Sequence, residues 1–80
     1  MRYVYLLQSI SHPDQHYVGL TWNVESRLAA HNAGQSTHTA KFRPWKIITY
    51  HAFVDEAKAA AFEKYLKSGS GLAFRKNHFQ

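Results

Sequence analysis

The 80-residue sequence contains no cysteine. That excludes disulfides, thiolate metal sites and cysteine nucleophiles, and it fits a reducing, cytoplasmic setting. Acids are scarce: five Asp and Glu stand against ten Lys and Arg, a net charge of +5 with histidines neutral. Such a surface favours polyanions, nucleic acid above all, and also anionic membranes. No apolar run approaches the roughly 20 residues needed to cross a bilayer. No small-residue cleavage site follows the Tyr/Val/Leu stretch after Arg2, so no signal peptide is expected either. Proline and glycine are few, and neither a repeat nor a linker is visible. With 45% hydrophobic residues, the chain is expected to form a single domain over 1–80 around one small core.

Several stretches have clear local signatures. In "YVYLLQS" (Tyr3 to Ser9), Tyr3, Tyr5 and Leu7 share one face of a strand and Val4 and Leu6 the other. "SHPDQ" is a turn cluster and "HYVGLT" a second strand, so the first 21 residues read as a β-hairpin. Gly19 weakens that strand unless something must approach its backbone. Asn23 is a good N-cap for a helix over Val24–Asn32, with Gly34 just past its end. Val24 and Leu28 form its core stripe, flanked by Arg27 and His31, about 40° apart around the axis. "AGQSTHTAKFRP" reads as a polar, basic loop, and "WKIITYHAF" as a third strand. Asp55 caps a further helix, "EAKAAAFEKYLKS", with Ala59, Phe62 and Leu66 as its apolar stripe. The Ser-Gly-Ser-Gly at 68–71 breaks it, and a short terminal turn or helix then packs Leu72 and Phe79 back on the domain. The order β-β-α-β-α, with a short C-terminal helix possible, specifies an α+β domain: a small antiparallel sheet covered by helices.

Tyr5 at the end of "YVY", Tyr17 and Gly19 in "YVG", Arg27 and His31 on the next helix, and Glu63 after the third strand form an ordered set. That set resembles the GIY-YIG nuclease domain, and in particular its small stand-alone bacterial members. "HNAG", "KFRPWKIITY" and "FEKYLKSGSG" carry the same likeness, which runs from Tyr3 to Phe79. Tyr3 stands where the family motif names glycine, and Val4 and Val18 replace isoleucines. The resemblance implies a three-stranded antiparallel sheet between helices. It also implies hydrolysis of phosphodiester bonds in DNA, with one Mg²⁺ or Mn²⁺ ion held by Glu63, and a role in repair or recombination.

The residue types suit that chemistry. Glu63 supplies a carboxylate for a hard cation whose other ligands are waters and substrate phosphate. The alternative is an ordinary surface pair with Lys67, four residues on; Lys67 otherwise joins the phosphate-facing cations. Arg27 offers a permanently charged planar fork to phosphate oxygens. His31 titrates near neutrality and could relay a proton or hydrogen-bond the base. In family terms one of the two tyrosines, Tyr5 ahead of Tyr17, activates the attacking water, although a phenol with pKa near 10 needs help from a cation or a metal-bound hydroxide to do so. Gly19 lets backbone or substrate pass close to the site. His38, Lys41, Arg43 and Lys46 track phosphates, and Trp22, Phe42 and Trp45 stack on unpaired bases or belong to the core. The family resemblance implies that Asn77, at the distance from Glu63 where some members carry a late asparagine, supports the site.

Three rival readings follow from the same residues. A binding module could share the fold without turnover, with specificity supplied by a protein partner or a homodimer. The six histidines could bind zinc, but they show no HxxH or HExxH spacing. A protein–protein adaptor would bind with little sensitivity to salt.

Overall fold

The computed structural model describes residues 1–79; Gln80, the last residue of the expected domain, lies outside the described residues. Strand β1 (Arg2–Ser9) lies between β2 (His16–Thr21) and β3 (Trp45–Phe53), antiparallel to both, in the order β2-β1-β3. Its central position explains why Val4, Tyr5, Leu6 and Leu7 are all buried. A central strand covered on both faces must be apolar on both.

The two faces are covered by different helices. Val4 and Leu6 meet Val18 and the Ala59 and Leu66 stripe of α3 (Glu56–Lys67), with Phe62 packed alongside. Tyr5 and Leu7 meet Trp45, with Val24 and Leu28 of α1 (Val24–Asn32) against them. The single small core expected from chain length is therefore two clusters separated by the sheet. An 80-residue chain cannot thicken one layer, so it buries both faces of its central strand instead.

Both main helices are capped as the sequence requires. Asn23 Oδ1 accepts from Ser26 N at 3.0 Å, and Asp55 Oδ1 accepts from Ala57 N at 2.9 Å and Lys58 N at 3.3 Å. At the end of α1, Gly34 adopts φ of 80°. Its N–H reaches His31 O, and Gln35 N–H reaches Ala30 O, both at 3.1 Å. This is a Schellman closure, and its left-handed residue favours glycine.

Two segments depart from expectation. The polar loop contains a single helical turn, α2 (Thr37–Ala40), which buries Thr39. The chain end forms a full helix, α4 (Gly69–His78), whose N-cap Ser68 Oγ accepts from Gly71 N at 3.1 Å. Gly71 lies so close to the carbonyl of Tyr65 that a Cβ could not fit, which lets α4 fold back along α3. Phe79 packs on the α3-side cluster as expected, but its partner from α4 is Phe74, and Leu72 remains exposed. A helix turns residues 72 and 74 about 200° apart, so only one can face the core. No described helix is long and apolar enough to cross a membrane.

Candidate active site

The register of β1 against β2 sets Tyr5 opposite Gly19 and Leu7 opposite Tyr17. Tyr5 and Tyr17 are therefore diagonal neighbours on the face covered by α1, with ring centroids 6.1 Å apart. What approaches Gly19 is the ring of Tyr5: any Cβ at position 19 would collide with its hydroxyl end. The close approach expected at this glycine is made by the tyrosine ring.

α1 delivers Arg27 and His31 to the same hydroxyl. Tyr5 Oη lies 2.9 Å from His31 Nε2, and Arg27 Nε donates to it at 3.4 Å. The other imidazole nitrogen, His31 Nδ1, lies 2.7 Å from Thr39 Oγ1. Trp45 Nε1 fixes the same turn by donating to Thr39 O at 2.9 Å. Tyr5, His31 and Thr39 are all essentially inaccessible to solvent.

The protonation states follow from the surroundings. Burial, and then the charge of Arg27, hold His31 below the usual imidazole range, so it is neutral at neutral pH. Burial pushes the Tyr5 phenol up, against the opposing effect of its bond from Arg27. Arg27 is in turn held above its ordinary range, first by its hydrogen bond to Tyr5. One direction of donation satisfies the whole chain. Arg27 Nε–H donates to Tyr5 O, Tyr5 O–H to His31 Nε2, His31 Nδ1–H to Thr39 Oγ1, and the threonine hydroxyl to Ser36 O at 3.5 Å.

Tyr17 sits against the edge of this chain, half-buried, its ring meeting His31 in a T-shaped contact at 4.8 Å. Glu63 comes from α3 on the opposite face and approaches around edge strand β2. Its carboxylate pairs with Lys67 at 2.6 Å, and the Lys67 ammonium lies 6.0 Å from the Tyr17 ring centroid. Glu63 is also near enough to contribute to the raised pKa of Tyr5.

The GIY-YIG catalytic domain model matches residues 1–77. The chain belongs to the GIY-YIG family. A curated relative from Pediococcus acidilactici, named the UPF0213 protein in the ldhD 5′ region, is 35% identical over 57 residues. That match covers 68% of this chain and 58% of the relative, so the chain spans little more than half of the relative's length. Membership places the domain in a nuclease family.

The other expected residues of this GIY-YIG chain are spread more widely. Lys41, Arg43 and Lys46 are exposed on the segment that Thr39 anchors beside the site. The Arg43 guanidinium lies over Gly34, at the C-terminal end of α1, where a cation is also favourable for helix-dipole reasons. Asn77 is exposed on α4, and nothing among the described residues ties it to the cluster. Trp45 is core, Phe42 packs beside it, and Trp22 is exposed. Among the described residues, no three of His, Asp and Glu gather into a metal cage.

Three contributors escaped the sequence reading. Thr39 orients His31 but looks like any loop threonine until α2 buries it. Asn32 clamps the start of β3, its Oδ1 accepting from Trp45 N at 2.6 Å and its Nδ2 donating to Trp45 O at 3.1 Å. Arg2 stacks its guanidinium 4.7 Å from the centroid of Trp22, on a groove it shares with Arg27. Only its place in the excess of basic residues hinted at Arg2.

Proposed function

We propose that this chain is a divalent-metal-dependent endonuclease acting on DNA, in the processing of strands during repair or recombination. The observation that supports it most is the buried Arg27–Tyr5–His31–Thr39 hydrogen-bond chain beside an open groove of about 440 Å³. Burying the polar groups of Tyr5, His31 and Thr39 costs free energy unless each finds a partner. A chain built only for stability would have filled the same space with apolar groups.

Arg27 gives its Nε to Tyr5, also interacts with Tyr17, and lines the groove, where its guanidinium fork matches oxygens of a phosphodiester. That contact strengthens as charge develops on the phosphorus oxygens. Tyr5 is too deeply buried to meet an attacking water. It acts as a positioning residue, holding Arg27 on one side and His31 on the other. Tyr17 is the more accessible tyrosine, against His31 on one side and near Lys67 on the other, so water activation passes from Tyr5, where the family likeness put it, to Tyr17. His31 is also a positioning residue, whose neutral Nε2 fixes the Tyr5 proton and whose ring braces Tyr17.

Glu63 fits a hard cation such as Mg²⁺ or Mn²⁺: it is a lone, partly exposed carboxylate that already attracts a cation in Lys67. Such an ion, when bound, lowers the pKa of its water and offsets phosphate charge. A protein partner or a second copy of the chain would supply sequence specificity that so small a surface lacks.

The test compares wild type with Glu63→Gln on labelled duplex, single-stranded and branched DNA, with and without Mg²⁺ or Mn²⁺. Metal-dependent cutting that disappears in the variant, while binding persists, is expected. Equal cutting by both proteins would overturn the assignment of Glu63. The Glu63–Lys67 ion pair favours a second reading, a nucleic-acid-binding module whose metal position is filled by its own lysine. Salt-sensitive binding without cutting by either protein would establish that reading.

A further inference from the structure

Trp22 is 60% exposed and Tyr50 is 56% exposed, although aromatic rings of this size usually find cover. They line a cleft of about 330 Å³ together with Tyr3, beside the N-terminus of α1. Tyr3 and Tyr50 meet edge to face at 6.1 Å, which holds the wall rigid. Tyr50 lies opposite Tyr5 in the β1–β3 register, so the cleft opens on the same sheet face as the site.

Trp22 also lines the neighbouring groove with Arg2 and Arg27. The indole therefore divides two compartments of different character. On the groove side Arg2 stacks on it at 4.7 Å. Arg2 Nε is buried without a hydrogen-bond partner, its closest carboxylate being Glu56 at 3.9 Å. Two arginines lining one groove, Arg2 and Arg27, give it the charge that suits a strand phosphate. On the cleft side the wall carries Asn23 and Glu25 instead of cations. A carboxylate there repels phosphate but accepts from the exocyclic amines and ring N–H groups of bases. Asn23 has its Oδ1 occupied by Ser26 N, which leaves its amide N–H groups to donate.

We propose that the Tyr3–Trp22–Tyr50 cleft receives one unpaired DNA base from the strand whose phosphates lie on Arg2 and Arg27. The substrate is then a strand with an unpaired base next to the cleavage point, such as a bulge, a flap or a branch. A base inside a flush duplex hides both faces in the stack, whereas an unpaired base presents a π-face to Trp22. This inference rests on the nuclease reading above and adds the class of substrate.

The chain's two tryptophans make the test direct: Trp45 is buried in the core, so quenching of exposed Trp22 reports on the cleft. Wild type, Trp22→Ala, Trp22→Phe and Tyr50→Ala are titrated with a flush DNA duplex and with the same duplex carrying one bulged base. Wild type is expected to prefer the bulged duplex by about tenfold, since base–aromatic stacking is worth that much or more, with quenching of its emission. In Trp22→Ala the preference falls to about one, Tyr50→Ala reduces it severalfold, and Trp22→Phe retains most of it. An unchanged preference in Trp22→Ala, or bulged-duplex binding without quenching, would overturn the cleft assignment and leave the nuclease reading standing. Quenching by an RNA strand but not by DNA of the same sequence would overturn the choice of DNA. Absence of salt-sensitive binding to any nucleic acid would sink both readings together.

Discussion

One strand supplies two very different interiors. On the α3 side, Val4 and Leu6 meet Val18, Ala59 and Leu66, a dry cluster with no polar side chain among its buried members. On the α1 side, Tyr5 and Leu7 share the space with buried His31 and Thr39 and a chain of hydrogen bonds. The first face stabilises the fold through area removed from water. The second gives up part of that stability to hold polar groups in fixed geometry, as the proposed chemistry requires. Adjacent residues of β1 thus belong to different tasks, and substitutions one position apart should separate them.

The largest effect on stability is expected from Leu6→Ala. Leu6 is buried within the dry cluster. Its truncation should cost about 2–5 kcal/mol, a large part of the stability of a small domain, read as a lower urea midpoint with little change in slope. A loss below about 1 kcal/mol would show that the α3 face can collapse around the gap and is not the rigid half.

Tyr5→Phe breaks the other face one residue away. It strands His31 Nε2 and Arg27 Nε, so a destabilisation of about 1–3 kcal/mol is expected. Cleavage should fall by about 100-fold through misplacement of Arg27 and His31, a loss out of proportion to the change in folding. Equal loss of activity in Leu6→Ala, assayed where that protein is still folded, would erase the division of labour.

pH separates the faces without truncating a side chain. His31 has a folded pKa below its unfolded value, first through burial and then through Arg27. The unfolded chain therefore binds the proton more readily. Its contribution to stability is complete above the unfolded pKa of about 6.5 and declines as pH falls from there toward the folded pKa. His16, also lowered by burial, contributes with the same sign. Denaturation midpoints measured between pH 7.5 and 5 should fall in wild type and fall less steeply in His31→Gln. Identical slopes would mean that His31 is not carried as a neutral group.

The smallest effect belongs to Lys67→Ala. The ion pair with Glu63 is half-exposed on the lysine side, so its loss should change stability by less than about 1 kcal/mol. Because it competes for the carboxylate, Mn²⁺ affinity measured by spin resonance should rise, by at most about fivefold. A fall in affinity would show that Lys67 orients Glu63 instead of competing with the ion.

Much of this was legible in the residues. Asn23 and Asp55 announced both main helices because an N-cap is a local interaction satisfied within three residues. The alternation of Tyr3 to Leu7 separated the two faces before any partner was known. The terminal helix was harder to read: three small residues at 69–71 look like a breaker until Gly71 is seen to allow α4 against Tyr65. The turn at Thr37 was hidden for a similar reason, since "STHTA" has no apolar period and is held by the contacts of Thr39.

Local chemistry in the sequence determined the strands, the two long helices and the basic charge, because periodicity and capping act over a few residues. The set Tyr5, Tyr17, Arg27, His31 and Glu63 was marked out by its resemblance to the GIY-YIG domain. Tertiary structure alone decided what those residues touch. It set the Tyr5 ring over Gly19 and brought Thr39 to His31. It set Lys67, paired with Glu63, beside the Tyr17 ring, and left Trp22 and Tyr50 facing one cleft. Each of these contacts joins residues far apart along the chain, and no local preference encodes a distance through space.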